Sequence, residues 1–343
     1  MSPSGTADAR CVLAVDLGGT KASFAVVDGT GAVRSRSKRA SRQGGAALTF
    51  DEIARSAAET VRAASLEWAD VAAAGVVVPG IYDPSPGRAW APNLWGPVDV
   101  PLRAELEGRL SVPLTLDCDR SAYVVGERWL GAARGVDDVV FVAVGTGIGA
   151  GIVSGGRLVR GRGGVAGAVG WFAIDPRWKP LYGEVGAWEA EAAGPALARR
   201  AEALLADETP SALREARERT GGSLSAEQVA EAARSGDALA RQAVGAHVEA
   251  LALGLANVVS VLNPEVVVLG GGLMQARDLF LEPLRRAVPR WTQPFAARQC
   301  RIEPTLLGED AGLLGAARLA LDAANFETGR GESRGRSRGR NER

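Results

Sequence analysis

The sequence predicts an α/β protein of two lobes, and three observations carry that expectation. At 343 residues the chain is long enough for two domains, each with its own core. Short apolar runs of strand length alternate with helical patterns along most of it. A strand, a glycine turn and a second strand occur twice, around Asp16-Leu17-Gly18-Gly19-Thr20-Lys21 and around Val144-Gly145-Thr146-Gly147-Ile148-Gly149. That recurrence reads as a faint internal repeat, one copy per lobe.

Taken in order, residues 1–9 read as a loose arm. The unbroken apolar run 11–15 is a buried strand, followed by strands over 22–27 and near 32–35 with the turn at Asp28-Gly29-Thr30-Gly31 between them. Residues 50–64 read as a helix with Ile53, Ala57, Val61 and Ala64 on one face. A strand over 74–78 ends at Pro79-Gly80. The Pro- and Gly-dense stretch 83–97 reads as an irregular loop. A helix over 100–110, a short strand over 114–116 and a helix over 121–130 follow, with Asp119 between the last two. Strand-like runs at 139–144 and 152–153 flank the second glycine turn, and 155–170 reads as a set of turns. Residues 189–234 form a long helical region, inside which Ser225-Ala226-Glu227-Gln228 matches a capping box. Residues 243–262 are a helix stopped by Pro264. Residues 266–269 are a buried strand of parallel type, followed by Gly270-Gly271-Gly272, and 310–321 are a last helix. From 327 the composition turns to Gly, Ser and Arg with some Glu, which reads as a disordered, dispensable tail.

Composition excludes several classes. Forty Lys and Arg balance forty Asp and Glu, so no charge excess points to nucleic acid or a membrane surface. No apolar run is expected to reach membrane-spanning length, and no signal peptide is read at the start. The three cysteines, Cys11, Cys118 and Cys300, have no metal-type spacing, which fits a reducing, cytoplasmic compartment. The one histidine, His247, lies inside a helical pattern and reads as structural.

Candidate chemistry centres on Asp119 and the glycine turn at Gly145-Thr146-Gly147. Glycines let the backbone approach an anion and aim N–H groups at phosphate oxygens, and Thr146 adds a hydroxyl donor. A carboxylate near such a turn can take a proton from an attacking hydroxyl. Taken singly, these features have plainer readings. Asp119 suits a helix cap, Gly18-Gly19 a hairpin turn, Trp171 packing, Cys118 a small space-filler and Glu189 a helix-start carboxylate.

Together the three glycine segments, Asp16 to Lys21, Gly145 to Gly149 and Leu269 to Gly272, with Asp119, Asn263-Pro264-Glu265 and Asp310-Ala311-Gly312-Leu313-Leu314-Gly315-Ala316-Ala317, resemble the ROK family of sugar kinases and repressors over roughly residues 10–320. The resemblance implies an actin/hexokinase-like (ribonuclease H-like) α/β fold with ATP and substrate in the interdomain cleft. Its expected divisions are 10–117, 118–308, a C-terminal helix over 309–326 returning to the first lobe, and the tail 327–343. It implies that Asp16 organises Mg²⁺ through water. Gly18, Gly19, Thr20, Lys21, Gly145, Thr146 and Gly147 would hold the ATP phosphates, and Gly270, Gly271 and Gly272 would lie beside adenine and ribose. Asp119 would be the general base, and Gly80, Cys118, Asp119, Ala168, Trp171 and Glu189 would face the acceptor. The repressors' DNA-binding module has no counterpart before the first strand, so nucleic acid is not an expected partner; a homodimer is left open.

The acceptor side departs from the family pattern. Cys118 stands where an asparagine precedes the base, Ala168 where a glutamate is found and Trp171 where a histidine is found. Pro180, Tyr182 and Ala187 stand at cysteines of a zinc loop, so no zinc site is expected. The implied activity is ATP-dependent phosphorylation of a primary hydroxyl on a sugar or sugar-like polyol. A modified sugar, an aminosugar or a C7-cyclitol is favoured over glucose. The alternative is a non-catalytic ligand sensor of the same fold.

Overall fold

A computed structural model describes residues 10–40, 48–206, 209–219 and 221–338, with residues 326–338 described by backbone alone. The expected arm 1–9 and residues 339–343 lie outside the described residues. The chain divides into two compact units, one of residues 1–131, 160–165 and 309–343, the other of 132–159 and 166–308. The boundary expected at 118 therefore falls after Gly131, and residues 160–165 rejoin the first unit.

In the first unit β1 (Cys11–Leu17), β2 (Lys21–Asp28) and β3 (Val33–Ala40) form an antiparallel meander. The apolar run of β1 is buried at the centre of the sheet, whereas β3 carries alternating Arg, Ser and Lys and is an exposed edge. Helix α1 (Phe50–Ala63) starts at a capping box, with the Thr49 hydroxyl accepting from the Glu52 N–H and Glu52 accepting from the Thr49 N–H. Strand β4 (Val71–Val78) lies parallel to β1.

The stretch expected to be irregular instead holds β5 (Ile81–Asp83), β6 (Arg88–Trp90), helix α2 (Pro92–Trp95) and β7 (Asp99–Val100), the strands forming a small antiparallel sheet. Tyr82, Ala89, Ala91 and Leu94 are buried there. Strands this short carry too few residues for alternation to register. Helix α3 (Leu102–Glu107) leads to β8 (Leu114–Cys118), parallel to β4, and β8 runs straight into α4 (Asp119–Leu130).

The second unit repeats the plan. Strands β9 (Val139–Val144), β10 (Ile148–Ser154) and β11 (Arg157–Leu158) are antiparallel. The expected single helical region 189–234 resolves into α6 (Ala187–Ala192), α7 (Gly194–Leu204), α8 (Ala212–Arg219) and α9 (Ala226–Arg234), preceded by a one-turn helix α5 (Tyr182–Val185) that was not expected. The last starts at the capping box Ser225/Gln228, as expected.

Helix α10 (Ala238–Leu262) is long and apolar enough to span a membrane by composition, contrary to the sequence expectation, but most of it is buried in the core of this unit. It ends where Asn263 turns left-handed ahead of Pro264. Strand β12 (Val266–Gly270) is followed by α11 (Arg277–Trp291), α12 (Pro294–Gln299) and β13 (Arg301–Pro304), none of the last three being expected. The sheet orders are β3-β2-β1-β4-β8 and β11-β10-β9-β12-β13, so the repeat seen in the glycine turns is a repeat of whole sheets.

Helix α13 (Ala311–Arg338) belongs to the first unit and continues past 327, where the tail was expected to lose structure. Extending a helix already anchored by packing costs far less than nucleating one, so the Arg- and Glu-bearing segment follows on. Its packing is backbone to backbone. A Cβ on Gly315 would stand 1.8 Å from the Ala122 carbonyl oxygen of α4, one on Gly75 would stand 2.0 Å from that of Ala316, and one on Gly126 2.5 Å from that of Ala311. Gly315→Ala is therefore expected to destabilise the protein by about 1–3 kcal/mol, as overpacking does. Gly245→Ala, on an exposed face of α10 with open space around it, is expected to stabilise it by about 0.5–1 kcal/mol. Chemical denaturation of the two variants checks both signs.

Candidate active site

Parallel strands deliver their C-terminal ends, and the helices that follow, to one edge of a sheet. In the first unit β1 brings Asp16 to that edge and the β8–α4 junction brings Asp119. Cys118 is the residue before α4 and Asp119 the first within it. One carboxylate oxygen of Asp119 accepts the Arg120 N–H at 2.7 Å, and the other accepts the Tyr123 hydroxyl at 3.3 Å. Burial pushes Asp16 up to about 7; the Asp119 charge adds to this and Lys21 opposes it. Burial likewise pushes Asp119 up to about 6, against the Arg120 charge and the hydrogen bonds from Arg120 and Tyr123. Gly312 on α13 makes room for the cluster, since a Cβ there would stand 2.4 Å from the Asp16 carboxylate and 3.1 Å from the Tyr123 ring.

Around this pair the predicted residues divide. In the β1–β2 turn the Gly18 N–H donates to the Lys21 carbonyl at 2.9 Å, and Gly19 lies against Asn93 of α2. Thr20 is exposed, and Lys21 is paired with Glu309 at 2.6 Å. Gly80 is left-handed, and its carbonyl accepts a guanidinium N–H of Arg120 at 3.0 Å. Cys118 is buried, burial pushes its thiol pKa up and so favours the protonated form, and its sulfur lies 3.3 Å from the Ser121 hydroxyl. Asp117 accepts the Cys118 N–H and pairs with Arg160 at 2.7 Å. Sequence reasoning missed Arg120, Tyr123, Asn93 and Arg160. Tyr123 was the most accessible of these, standing one helical turn after the base on the same face.

The second unit holds the other half of the predicted chemistry. Its turn closes with the Gly145 N–H donating to the Gly147 carbonyl at 3.0 Å, while the Gly145 carbonyl accepts from the Gly194 N–H at 2.8 Å. Beside it is a cavity of about 660 Å³ lined by Gly145, Thr146, Pro195, Leu224, Gly272 and Leu273, among others. That volume and its mixed apolar and polar lining suit a nucleotide.

Of the third glycine segment only Gly272 opens onto this cavity. A Cβ on Gly270 would strike the Phe141 ring at 2.2 Å, and Gly271 turns left-handed against the Val144 backbone. Gly147 also serves packing, because a Cβ there would stand 2.6 Å from the Glu189 carboxylate. Glu189, on α6, accepts the Ile148 N–H at 2.7 Å, and burial raises its pKa. Ala168 lines a separate apolar cavity of about 210 Å³ with Ile152 and Phe172, and Trp171 is 57% exposed. At the expected zinc-loop positions the Tyr182 hydroxyl donates to Glu191 at 2.6 Å. Among the described residues no group of three or more His, Cys, Asp or Glu side chains is placed to hold a metal ion.

The comparisons agree with this architecture. The ROK family model matches residues 12–323. A glucokinase from Thermotoga maritima is 32% identical over 321 residues, 90% of this chain and 96% of the relative. A xylose repressor from Caldicellulosiruptor bescii is 30% identical over 277 residues, 80% of this chain and 67% of the repressor. The crystal structure of a ROK family glucokinase from Streptomyces griseus, in complex with glucose and AMPPNP, superposes with a TM-score of 0.72 at 33% identity, covering 90% of this chain and 99% of that one. The fold is the two-lobed actin/hexokinase-like one. With duplicated sheets, glycine turns at corresponding strand ends and a family match over nearly all of its length, this chain belongs to the ROK family.

Proposed function

We propose that this chain is an ATP-dependent sugar kinase with Asp119 as its general base. The observation that carries the reading is the pair of half-buried carboxylates Asp16 and Asp119, brought to one sheet edge by β1 and by the β8–α4 junction and both with raised pKa values. A ligand sensor needs no base, and holding two such carboxylates together costs stability; a kinase gains a proton acceptor from it. The pair also fits a divalent cation. Hard carboxylate oxygens suit Mg²⁺, and Asp16 would hold it through water. Mg²⁺ bound there supplies neutralisation of phosphate charge. Asp119 takes the proton of the acceptor hydroxyl as its oxygen bonds to the terminal phosphorus of ATP and the bond from that phosphorus to the bridging oxygen breaks, releasing ADP. The Gly145-Thr146 segment offers N–H and hydroxyl donors to the phosphates, and Gly272 leaves room for the nucleoside.

The acceptor is a modified sugar, an aminosugar or a C7-cyclitol in preference to glucose. Cys118, Ala168 and Trp171 supply no amide, carboxylate or imidazole to ring hydroxyls, and sites built on buried hydrogen bonds discriminate strongly. Asp117 is occupied by Arg160, which leaves Glu189 as the carboxylate for an ammonium group. A neutral cyclitol with an exocyclic CH₂OH needs no such partner.

Four outcomes test these readings. Asp119→Asn is expected to reduce turnover about a hundredfold or more while calorimetric ATP affinity stays unchanged. A base with a pKa of about 6 in place of 3.8 is protonated, and useless, at higher pH than usual, so kcat/KM for the acceptor should fall as pH drops through about 6. Elemental analysis of the purified protein is expected to find no stoichiometric zinc. At saturating MgATP, kcat/KM for glucose is expected to lie about a hundredfold below that of an aminoglucose or a cyclitol, from roughly 1 kcal/mol or more per missing hydrogen bond. Glucose proving the best of that panel would end the re-specification argument.

A further inference from the structure

Glu191 gathers more donors than any surface role requires. One carboxylate oxygen accepts the Lys179 ammonium at 2.5 Å and the Tyr182 hydroxyl at 2.6 Å. The other accepts a guanidinium N–H of Arg200 at 3.1 Å, and the main-chain carbonyl of Glu191 accepts a second N–H of that guanidinium. Arg200 in turn lies 3.0 Å from Nδ1 of His247; His247 is fully buried, and burial with the Arg200 charge holds it down to about 3, so its ring is neutral. Asp175 lies 3.7 Å from Lys179 on the outer side. One side chain thus ties α6 to the segment carrying Lys179 and Tyr182, to α7 through Arg200 and to α10 through His247.

Helix α6 depends on such ties. It covers only Ala187–Ala192, has no side-chain cap at its start and enters from the left-handed Gly186. A helix of that length does not hold itself in water, so its placement comes from tertiary contacts. Trp188 supplies one, buried against Gly254 with its indole N–H on the Ala250 carbonyl at 3.1 Å. Glu189 lies on the same helix, with one carboxylate oxygen on the Ile148 N–H at 2.7 Å and its side chain lodged against Gly147 and Gly170. A small rotation of α6 would withdraw that carboxylate from β10 and from the glycine turn before it.

We propose that Glu191 is a positioning residue that holds Glu189 against the Gly145–Gly147 turn, by pinning α6 through Lys179, Tyr182 and Arg200. The catalytic side of this inference rests on Glu189 facing the acceptor. The structural side does not, and the experiment separates them.

Amide hydrogen exchange at Ile148, followed by NMR on the protein without sugar, reads the Glu189 hydrogen bond directly. Glu191→Gln is expected to lower protection of that amide about tenfold and leave the β12 amides unchanged, a local opening and not a global one. With an aminoglucose and with a cyclitol as acceptor in turn, Glu191→Gln should raise the KM of whichever wild type phosphorylates about tenfold and leave the ATP KM within about twofold. Glu189→Gln alone should do the same, and the double variant should be no worse than Glu189→Gln, because Glu191 acts through Glu189.

Should Glu191→Gln fold poorly, Tyr182→Phe and Lys179→Met each remove one donor and are expected to shift Ile148 protection in the same direction, by about two- to threefold. Unchanged Ile148 protection in these variants overturns the proposal. So do effects that multiply in the double variant, or a rise in the ATP KM equal to that for the acceptor. A wild-type protein that phosphorylates no sugar refutes the kinase reading instead, and the exchange data still decide the role of Glu191.

Discussion

Two carboxylates that would each be cheaper in water are kept together at one sheet edge, and much of the first unit can be understood as the means of keeping them there. Asp16 is fixed by a central strand paired on both sides, and Asp119 by a helix whose first turn begins where β8 stops. The local repulsion is not removed by a neighbouring cation of full strength, since Lys21 is drawn to Glu309 and Arg120 to the Gly80 carbonyl. The rigidity must therefore come from packing. Gly312, Gly315 and Gly126 let α13 and α4 approach with backbone in contact, leaving little freedom for Asp119 to swing away.

The same residue type does two different jobs in this chain, and the structure separates them. Gly145 and Gly272 border open space in which an added Cβ would meet no side chain, as expected where a ligand is to be admitted. Gly147, Gly270 and Gly254 sit under Glu189, Phe141 and Trp188, where the missing Cβ is filled by protein. A run such as Gly270-Gly271-Gly272 mixes both uses within three positions. Motif spacing cannot show this, because a glycine that yields space to a ring and one that yields space to a ligand are written with the same letter.

What was legible in the sequence follows from the range of the interactions involved. The buried strands at Cys11, Val71, Val139 and Val266 have unbroken apolar runs, and the capping box at Ser225 is local chemistry, so both could be read from neighbours in sequence. The duplicated sheet order was hinted at only by the two glycine turns. The small sheet of β5 to β7 escaped notice because Pro84, Pro86 and Gly87 dominate its composition while three-residue strands carry little periodicity. The unit boundary was misplaced because α4 belongs with α13, far away in the chain. Asp119 was recognisable through family resemblance, but its partners Tyr123 and Arg120, and the engagement of Asp117 by Arg160, depend on three-dimensional approach.

Phosphate handling and acceptor recognition are subject to different constraints. A phosphoryl group presents the same oxygens whatever hydroxyl attacks it, so a backbone turn and carboxylates such as those proposed here for that task need not change with the acceptor. Acceptor contacts have no such fixed target. The residues proposed to face the acceptor in the second unit lie on short, weakly self-supporting pieces, the turn at Ala168 and Trp171 and the six-residue helix of Glu189. Such pieces can change their chemistry without disturbing the sheets, provided something else holds them in place. Tyr182 and Lys179 bond Glu191 on α6, the hold proposed for Glu189. A segment secured in this way is free to carry Ala168 and Trp171 in place of polar side chains while the sheets behind it stay unaltered.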